Sequence, residues 1–449
     1  MAMNVNDISH VNRASIAIAE KHDIGLEDSI ELMQNASLSL VAGQELNNSI
    51  PLQVAFLSAL NAGRRTFLGG IKCYLDRNTP NLLPIKGKRF SDLVELYGGE
   101  LSNERPSLKD SKLVFGMAPP DVNSIEVICS GWQGGVNFYD SRRNEIPAST
   151  SNVALGGVIG ASLGLFYSFN KQFSIVENLL ELPTGISLWD LSAGQDWHDP
   201  IYEGPADLNM PKNLWTVGLG HLGQAYLWTL GLMFDSNRNC QIALQDNDLV
   251  DFENIGSQIL CKQDDIGFPK ARVCSKFLSE IGFSTQIIEK PFLKEDQEQL
   301  WSDQYKFLLN GVDNIETRRI IDSSRFKLFL DGGTNGKLEL FDSFTFRNFG
   351  VMSKSPSELW KDNGKNQEIL HKNLYERIEK EFGCGNLINK GISTPFVGLF
   401  GATILISELL RSLNKGLSYS SISVQMRDLE SIRFISKSHY DTRLYNLAS

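Results

Sequence analysis

The sequence has 449 residues, 42% of them hydrophobic, and a net charge of −10 at neutral pH. This length predicts two or three domains with sizeable cores and excludes a largely disordered chain. The acidic charge and the lack of a long basic run argue against a broad nucleic-acid-binding surface, so no nucleic-acid partner is expected.

The six cysteines are scattered without a C-x-x-C pair. A structural zinc site is therefore not expected, and the scatter suits a reducing cytoplasm. The N-terminus lacks the basic and apolar stretches of a secretory signal. Two apolar runs, 153–169 and 395–410, are near or below the length that spans a bilayer. We expect buried, glycine-packed helices in a cytoplasmic protein without a membrane partner.

In chain order, residues 1–50 indicate helix and connector, and a further helix is expected from Pro51 to Leu60. The strands expected next are 70–75, 112–115, 125–129 and 134–139, before an apolar helix that opens near Gly156. Residues 193–211, rich in Asp, Gly and Pro, are predicted to be a linker.

Beyond the linker, short apolar strands alternate with helices, which predicts a mostly parallel central sheet with helices on both faces. Strands are expected at 214–217, 241–244, 286–289, 307–309 and 329–330, with helices beginning at 224, 270 and 316. An antiparallel strand is expected at 338–349, a helix at 366–382, and two late strands at 420–425 and 432–435.

Segments 156–166 and 391–402 resemble each other, since each combines small residues with an apolar helix. We infer two related Rossmann-like α/β units in one chain, an intramolecular pseudodimer that needs no second copy but leaves a further homodimer open. The expected domains are 1–200, which has lost its glycine turn, and 201–449, which contains a crossover segment near 352–390.

The second unit is organised around Trp215-Thr-Val-Gly-Leu-Gly-His-Leu-Gly. A buried strand enters a turn with Gly218, Gly220 and Gly223, and a helix follows. Backbone N–H groups at a helix N-terminus bind phosphate, and a Cβ in such a turn would block its approach. The pattern alone is a weak signal, so the residues that follow it decide the interpretation.

Asp246 and Asp248 follow the second strand of this unit, where an acid can bind ribose hydroxyls or be an ordinary loop carboxylate. Asp313 lies at the C-terminal end of a strand, where ligands bind in open α/β sheets. Further polar residues follow in order: Asn254, Gln258, Lys270, Asn314 and Arg318. Their ordinary alternatives are loop capping for the amides, a solvated helix lysine and a helix-face ion pair.

This ordered series resembles the ThiF/MoeB superfamily, the adenylating enzymes that activate ubiquitin and ubiquitin-like sulfur carriers. In that family a glycine turn is followed by D-x-D-x-V, N-x-x-R-Q, G-x-x-K and D-N-x-x-x-R. The matching segments here are 218–223, 246–250, 254–258, 267–270 and 313–318. The resemblance covers 211–320 well, whereas the first 200 residues resemble the family weakly, as an inactive companion domain would.

The resemblance implies ATP and Mg²⁺ and assigns roles to the matching positions. Asp248 would hold the ribose, while Asn254, Gln258 and Lys270 would surround the phosphates. Asp313 would bind Mg²⁺ and, with Lys270, act in catalysis. The nucleotide-binding residues would also include Asp246, Asn314 and Arg318. These residue types suit the chemistry, because attack of a carboxylate on the α-phosphate gathers negative charge that cations and amides stabilise.

One position departs from the family pattern, because Ser257 stands where the family has an arginine before the glutamine. A phosphate-facing guanidinium is therefore missing. Arg64 and Arg65, in the loop before the strand at 70, are candidates to reach across from the first unit; the alternative is a basic surface pair.

Ubiquitin-type activators pass the acyl group from the adenylate to a cysteine. Cys384, in Phe382-Gly-Cys-Gly-Asn, is the expected nucleophile, because the flanking glycines give access and nearby lysines at 380 or 390 favour a thiolate. The alternative is a merely small loop residue. Cys261 is the next candidate, and the other cysteines are expected in the core: Cys73, Cys129, Cys240 and Cys274.

We therefore expect ATP-dependent adenylation of the C-terminal tail of a ubiquitin-like protein, a thioester on Cys384, and transfer to a conjugating enzyme. The architecture is similar to that of the Bil-type activating enzymes of bacterial ubiquitin-like antiphage defence operons. Three alternatives stay open: a sulfur-carrier or peptide adenylyltransferase without a thioester, an NAD-dependent oxidoreductase, and a non-catalytic scaffold that the serine at 257 would favour.

Overall fold

The computed structural model describes residues 12–104, 106–107, 110–117, 123–139, 151–233, 240–295, 305–361 and 391–437. Within these residues the chain forms two sheets with helices packed against them. This arrangement confirms the predicted α/β fold class with two Rossmann-like units.

The first sheet consists of β1 (Leu38–Ala42), β2 (Ile71–Tyr74), β3 (Glu100–Leu101), β4 (Lys112–Phe115), β5 (Ser124–Ser130), β6 (Gln133–Phe138) and β7 (Thr184–Ser187). Its strand order is β3-β2-β1-β4-β5-β6-β7, and only the last two strands run antiparallel to their neighbours. The described helices of this unit are α1 (Ser15–His22), α2 (Leu26–Asn35), α3 (Ile50–Gly63), α4 (Phe90–Leu96) and α5 (Leu155–Phe173).

The second sheet consists of β8 (Asn213–Val217), β9 (Gln241–Gln245), β10 (Ser284–Ile288), β11 (Phe307–Asn310), β12 (Leu328–Thr334), β13 (Ser343–Asn348), β14 (Ser418–Gln425) and β15 (Asp428–Lys437). Its order, β10-β9-β8-β11-β12-β13-β14-β15, repeats the order of the first sheet and adds one strand. The described helices of this unit are α6 (His221–Leu232), α7 (Lys270–Glu280), α8 (Ile315–Ile320), α9 (Pro356–Leu359) and α10 (Pro395–Leu413).

Equivalent helices of the two units pack together at the centre of the molecule. The indole N–H of Trp228 on α6 donates to Ser58 Oγ on α3 over 3.0 Å. Phe396 on α10 contacts the rings of Phe166 and Phe169 on α5. Because α3 follows β1 and α6 follows β8, the units meet through matching elements, as an intramolecular pseudodimer requires.

The two apolar runs are buried helices, as predicted. α5 lies directly on the first sheet, where a Cβ at Gly156 would come within 1.9 Å of the Gln133 carbonyl oxygen. α10 is long and apolar enough to cross a membrane by length and composition, yet the whole apolar stretch is buried inside the protein. Its Glu408 is neutralised within the fold by Arg411, at 2.7 Å.

Strand β1 contradicts the expectation that residues 1–50 contain only helix and connector. It lies between β2 and β4 in the first sheet, although its sequence is only five residues long and begins soon after α2 ends. Antiparallel strand was also expected from residue 338, but Leu338–Leu340 form a single 3₁₀ turn and β13 begins at Ser343. The helix expected at 366–382 lies outside the described residues.

The segment between the sheets contains short 3₁₀ turns at Leu191–Asp196 and Pro200–Tyr202. It contains no strand among its residues, all of which the structure describes, in agreement with the expected linker. The domain boundary at residue 200 falls in this segment and stays a prediction.

Candidate functional site

The glycine turn joins β8 to α6 as the sequence predicts. Gly218 has φ of +79°, which favours glycine. A Cβ at Gly223 would come within 1.9 Å of the Gly218 carbonyl oxygen, so the turn is closed tightly. Gly220, which precedes α6, offers no side-chain cap, and a Cβ there would meet nothing within 4 Å. The start of α6 therefore presents backbone N–H groups to open space.

Asp246 fixes this turn to the end of β9. Its carboxylate accepts from the Leu219 N–H at 2.6 Å and from the Asp248 N–H at 2.8 Å. Burial raises the pKa of Asp246, and these two backbone hydrogen bonds oppose that rise. Asp246 is thus occupied in holding the turn, which leaves Asp248 as the freer carboxylate for a ribose.

Lys270, the first residue of α7, pairs with that second carboxylate. Its Nζ lies 2.9 Å from Asp248 Oδ2, and the lysine side chain is only 9% exposed against 57% for the aspartate. The backbone N–H of Lys270 also donates to the Asp248 carbonyl oxygen over 3.0 Å. The alternative of a solvated helix lysine is therefore wrong, and the ammonium group is held at the edge of the turn.

The two amide residues of the 254–258 loop have different environments. Asn254 Oδ1 accepts from the Asp251 N–H at 2.9 Å and so caps the loop, while its NH₂ group has no partner among the described residues. Gln258 is 5% exposed, and its Oε1 accepts from Gln224 of α6 at 2.8 Å. A phosphate contact stays a prediction for Asn254 and is at odds with the burial of Gln258.

Asp313 follows β11 as an exposed carboxylate without a hydrogen bond or ion pair to any described residue. The side chains of the two other residues of its motif form hydrogen bonds with backbone groups. Asn314 caps α8 by accepting from the Glu316 N–H at 2.8 Å. Arg318 donates to the Val312 carbonyl oxygen over 2.7 Å and approaches the buried Asp331 at 3.3 Å. Both side chains hold the loop that carries Asp313, and a nucleotide contact stays a prediction for each.

Arg13, which sequence reasoning missed, brings a cation from the first unit to this loop. Its Nε donates to the Gly391 carbonyl oxygen over 2.9 Å. Burial lowers the pKa of Arg13, while the charges of Glu253 and Asp313 raise it, although neither acid forms an ion pair with the guanidinium. A single arginine 378 residues from its partner leaves no local pattern in the sequence.

Arg64 and Arg65, the expected sources of that cation, have other environments. Arg65 does cross between the units, but its guanidinium is buried and donates to the carbonyl oxygens of Gln258, Ile259 and Cys261 at 3.3, 2.9 and 2.8 Å. Burial lowers the pKa of Arg65 to about 9. Because its donors are used, Arg65 joins the units and is not a phosphate ligand. Arg64 faces a separate cavity, and the pair is not a basic surface patch.

His221, the first residue of α6, was also missed. Its Nδ1 is hydrogen-bonded to Ser393 Oγ, and its Nε2 is buried without a partner in the described part of the chain. Burial and the nearby Arg13 charge lower the pKa of His221 to about 3. A neutral histidine therefore ties the glycine turn to the segment that leads into α10.

The expected nucleophile Cys384 lies outside the described residues. The second candidate, Cys261, is fully buried beside Gln224, and burial raises the pKa of its thiol to about 11. Cys261 is therefore a core residue and not a nucleophile. Of the four cysteines expected in the core, Cys73, Cys240 and Cys274 are buried and Cys129 is partly buried.

The described residues contain no group of three or more His, Cys, Asp or Glu side chains that could hold a metal ion. A Mg²⁺ ion at Asp313 would therefore take its other ligands from phosphate oxygens and water. Nucleotide-bound Mg²⁺ commonly has such a shell, with one or two protein carboxylates. The single free carboxylate fits this role.

Comparisons with known proteins agree with these features. A model described as BilD N-terminal domain matches residues 37–181, and one described as BilD C-terminal domain matches 210–416. The bacterial E1-like protein BilD of Collimonas sp. (strain OK412) is 29% identical over 91% of this chain and 89% of its own length. A probable molybdopterin-synthase adenylyltransferase of Porphyra purpurea is 26% identical over 48% of this chain and 54% of its own.

A NEDD8-activating enzyme E1 catalytic subunit of Dictyostelium discoideum is 27% identical over 27% of this chain and 30% of its own. The solved structure of E. coli tRNA N6-threonylcarbamoyladenosine dehydratase, TcdA, aligns with a TM-score of 0.31 and 17% identity, covering 44% of this chain and 84% of TcdA.

Fold, site and relatives define an E1-like adenylating protein of the ThiF/MoeB superfamily. Its two halves match the two domains of one family in the same order, and the chain belongs to that family, BilD.

Proposed function

We propose that the second unit binds ATP and adenylates the C-terminal carboxylate of a ubiquitin-like protein. The observation that carries the proposal is the uncapped start of α6, whose glycine turn contacts two segments. One is segment 246–248, which holds Lys270, and the other is segment 311–312, which Asp313 follows. A helix start without a cap is an anion site, and a nearby cation strengthens it. E1-like and adenylyltransferase relatives support this class of reaction.

Different residues would contact the ribose and the phosphates of ATP. Asp248 binds the ribose hydroxyls, and the N–H groups at the start of α6 receive phosphate oxygens. The free NH₂ group of Asn254 and the ammonium of Lys270 add donors beside them. Asp313 would hold Mg²⁺, which when bound neutralises charge on the departing pyrophosphate.

The chemical step needs positive charge where negative charge develops. A carboxylate oxygen of the ubiquitin-like tail attacks the α-phosphorus, the bond to the bridging oxygen breaks, and pyrophosphate leaves with the electron pair. Lys270 and Arg13 stabilise the charge on the equatorial and leaving oxygens. Arg13 supplies the guanidinium that Ser257 lacks, and Ser257 itself is only 4% exposed.

The step after adenylation rests on the sequence. The thiolate of Cys384 attacks the acyl carbon of the adenylate, AMP leaves, and a thioester forms that passes to a conjugating enzyme. The BilD family match supports a bacterial ubiquitin-like conjugation operon in antiphage defence as the setting of this reaction.

The test is ATP–pyrophosphate exchange with the ubiquitin-like protein encoded beside this gene, followed by a non-reducing gel. Wild type is compared with Asp313→Ala, Cys384→Ala and the control Glu316→Ala, which changes an exposed acid three residues from Asp313. We expect exchange to require Asp313 and to survive Cys384→Ala and Glu316→Ala. A reducible adduct should appear in wild type and disappear in Cys384→Ala.

Other outcomes select other functions. Exchange without an adduct indicates a sulfur-carrier or peptide adenylyltransferase, which needs no thioester. Failure of exchange with any ubiquitin-like protein, together with binding of NAD or of no nucleotide, contradicts adenylation and favours an oxidoreductase or a scaffold.

A further inference from the structure

A cavity of about 530 Å³ lies between the two units, apart from the glycine turn. The first unit contributes α2 and the loop with Arg64 and Leu68, and the second contributes segments 252–256 and 262–264. The volume is in the usual range for small-molecule sites, roughly 300–1,000 Å³. Nothing in the proposed function uses this cavity.

Arg64 lines the cavity together with two other cations, Arg65 and Lys262. Its guanidinium makes no hydrogen bond or ion pair within the described residues, and its Nε is buried without a partner. Burial lowers the pKa of Arg64. The adjacent Arg65 uses its guanidinium on carbonyl oxygens of the second unit, so the two arginines differ. A partly buried, unpaired guanidinium is costly unless an anion accompanies it.

Lys262 adds a second cation from the other unit. Its Nζ lies 5.5 Å from the centroid of the Tyr97 ring, and it forms no ion pair with a described residue. The charge of Arg64 helps to lower the pKa of Lys262, after burial, which places the two cations near each other. Two carboxylates also line the cavity: Asp264 is exposed, and Glu253 interacts with Arg13.

The cavity and the candidate ATP site are built from the same chain segments. Asn12 and Glu253 line the cavity, and they are the chain neighbours of Arg13 and Asn254, which the proposed function places at the phosphates. We infer that the cavity receives inorganic pyrophosphate as it leaves the adenylation site. This inference rests on the proposed function. Pyrophosphate is a compact polyanion, and two cations without ion pairs to described residues, one from each unit, suit it.

The experiment compares Arg64→Gln with a matched control, Arg272→Gln, whose arginine is on the surface and paired with Glu289. Pyrophosphate is titrated calorimetrically into the full chain in saturating AMP, and the KM for pyrophosphate and for ATP is measured in the exchange reaction. We expect Arg64→Gln to weaken pyrophosphate binding and raise its KM about tenfold, the size of one charge-assisted contact. The KM for ATP and the melting temperature should stay at wild-type values, and Arg272→Gln should change nothing.

The two proposals fail separately. If the KM for pyrophosphate is unchanged in Arg64→Gln, or rises equally in Arg64→Gln and Arg272→Gln, the pyrophosphate site in the cavity is wrong and adenylation stays in place. Arg64-dependent pyrophosphate binding in a chain that shows no exchange removes adenylation and leaves the cavity as a pyrophosphate site. Lys262→Gln is the independent check. Removing the cation that the second unit contributes should also weaken pyrophosphate binding and raise the KM for pyrophosphate.

Discussion

The two units have matching sheets, yet their first strand-to-helix turns differ in one decisive way. β1 pairs with β4 so that Ala42 faces Phe115, and β8 pairs with β11 so that Val217 faces Asn310. Counting on from these partners, Gly43 corresponds to Gly218, and Glu45 corresponds to Gly220. The first unit thus has a carboxylate where the second has open space.

In the first unit, the chain itself satisfies the groups around this turn. Glu45 Oε2 accepts from the Met117 N–H at 2.9 Å, and a Cβ built on Gly43 would lie 2.5 Å from that oxygen. Ser49 caps α3 by accepting from the Leu52 N–H at 3.3 Å. In the second unit α6 has no side-chain cap. The two units therefore share a strand order and differ in the uncapped N–H groups at the helix start, on which the proposed phosphate site of the second unit rests.

The residues that follow β4 in the first unit and β11 in the second unit also differ. Gly116-Met117 after β4 corresponds to Gly311-Val312 after β11, and the next residue in the sequence is alanine in the first unit and Asp313 in the second. The candidate metal ligand is present only in the half with the open turn.

Replacing Gly220 with glutamate, the residue at the corresponding position of the first unit, should have the largest effect on ATP binding. Gly220→Glu places in the second unit the carboxylate that the first already has, and we expect no detectable ATP binding by calorimetry, because like charges repel and the space is filled. The fold should persist, since a Cβ there meets nothing within 4 Å. Glu45→Gly is the mirror control and should leave ATP affinity unchanged, because Ser49 still caps α3 in the first unit. Loss of ATP binding in Glu45→Gly to the same extent as in Gly220→Glu would contradict the comparison.

Removing the buried cation of the active turn should come next. Lys270→Ala is expected to slow ATP–pyrophosphate exchange about a hundredfold, the usual loss for one preorganised charge donor. Lys276→Ala, on the exposed face of the same helix, should have the wild-type rate. Equal rates for both variants would mean that the Lys270–Asp248 pair only joins the loop to α7.

The contribution of the first unit to chemistry should be smaller and confined to one side chain. Arg13→Ala is expected to slow exchange about tenfold, because other donors remain at the phosphates. Arg77→Ala, an exposed arginine of the same unit, is the control and should have no effect. A wild-type rate in Arg13→Ala would show that the first unit supplies no charge to the site.

Arg64 and Arg65 are adjacent in the chain, but only Arg65 is expected to contribute strongly to the stability of the fold. Arg65→Gln leaves buried carbonyl oxygens of the second unit without donors, and we expect a loss of about 3 kcal/mol in the free energy of unfolding. Arg64→Gln removes no hydrogen bond within the protein and should cost less than about 0.5 kcal/mol. Denaturant titration of both variants checks this; equal losses would remove the distinction between them.

The smallest effect is a pH dependence at the glycine turn. The pKa of His221 is about 3 in the folded chain, below its ordinary 6.5, so the unfolded chain binds more protons between these values. The stability from a neutral His221 is complete above 6.5 and is lost as the pH falls. The free energy of unfolding of His221→Asn should therefore fall less between pH 6.5 and pH 3 than that of wild type. The control His198→Gln, in the linker, should have the pH profile of wild type. Parallel pH profiles of wild type and His221→Asn would contradict a buried neutral histidine.

Local patterns were enough to predict the fold class, the glycine turn and the strands of the second unit. They failed at β1, because five residues beside a helix carry little periodicity, although the strand is placed by its pairing with β2 and β4. Asn314 was predicted as a nucleotide ligand because a cap and a ligand use the same side chain. The roles of Arg13 and Arg65 depend on the residues of the second unit that each one contacts. Those residues are distant in the chain, so no local sequence pattern predicts the two roles.

The most direct test of one active half is to count adenylates. The Cys384→Ala chain, in which the reaction stops at the adenylate, is mixed with the ubiquitin-like protein and with ATP labelled at the α-phosphate or, in a parallel sample, at the γ-phosphate. Each sample is quenched and assayed for label on the ubiquitin-like protein and for released pyrophosphate. The account predicts one labelled adenylate and one pyrophosphate per chain, both lost in Gly220→Glu. Two adenylates per chain, or label that transfers only from the γ-phosphate, would contradict it.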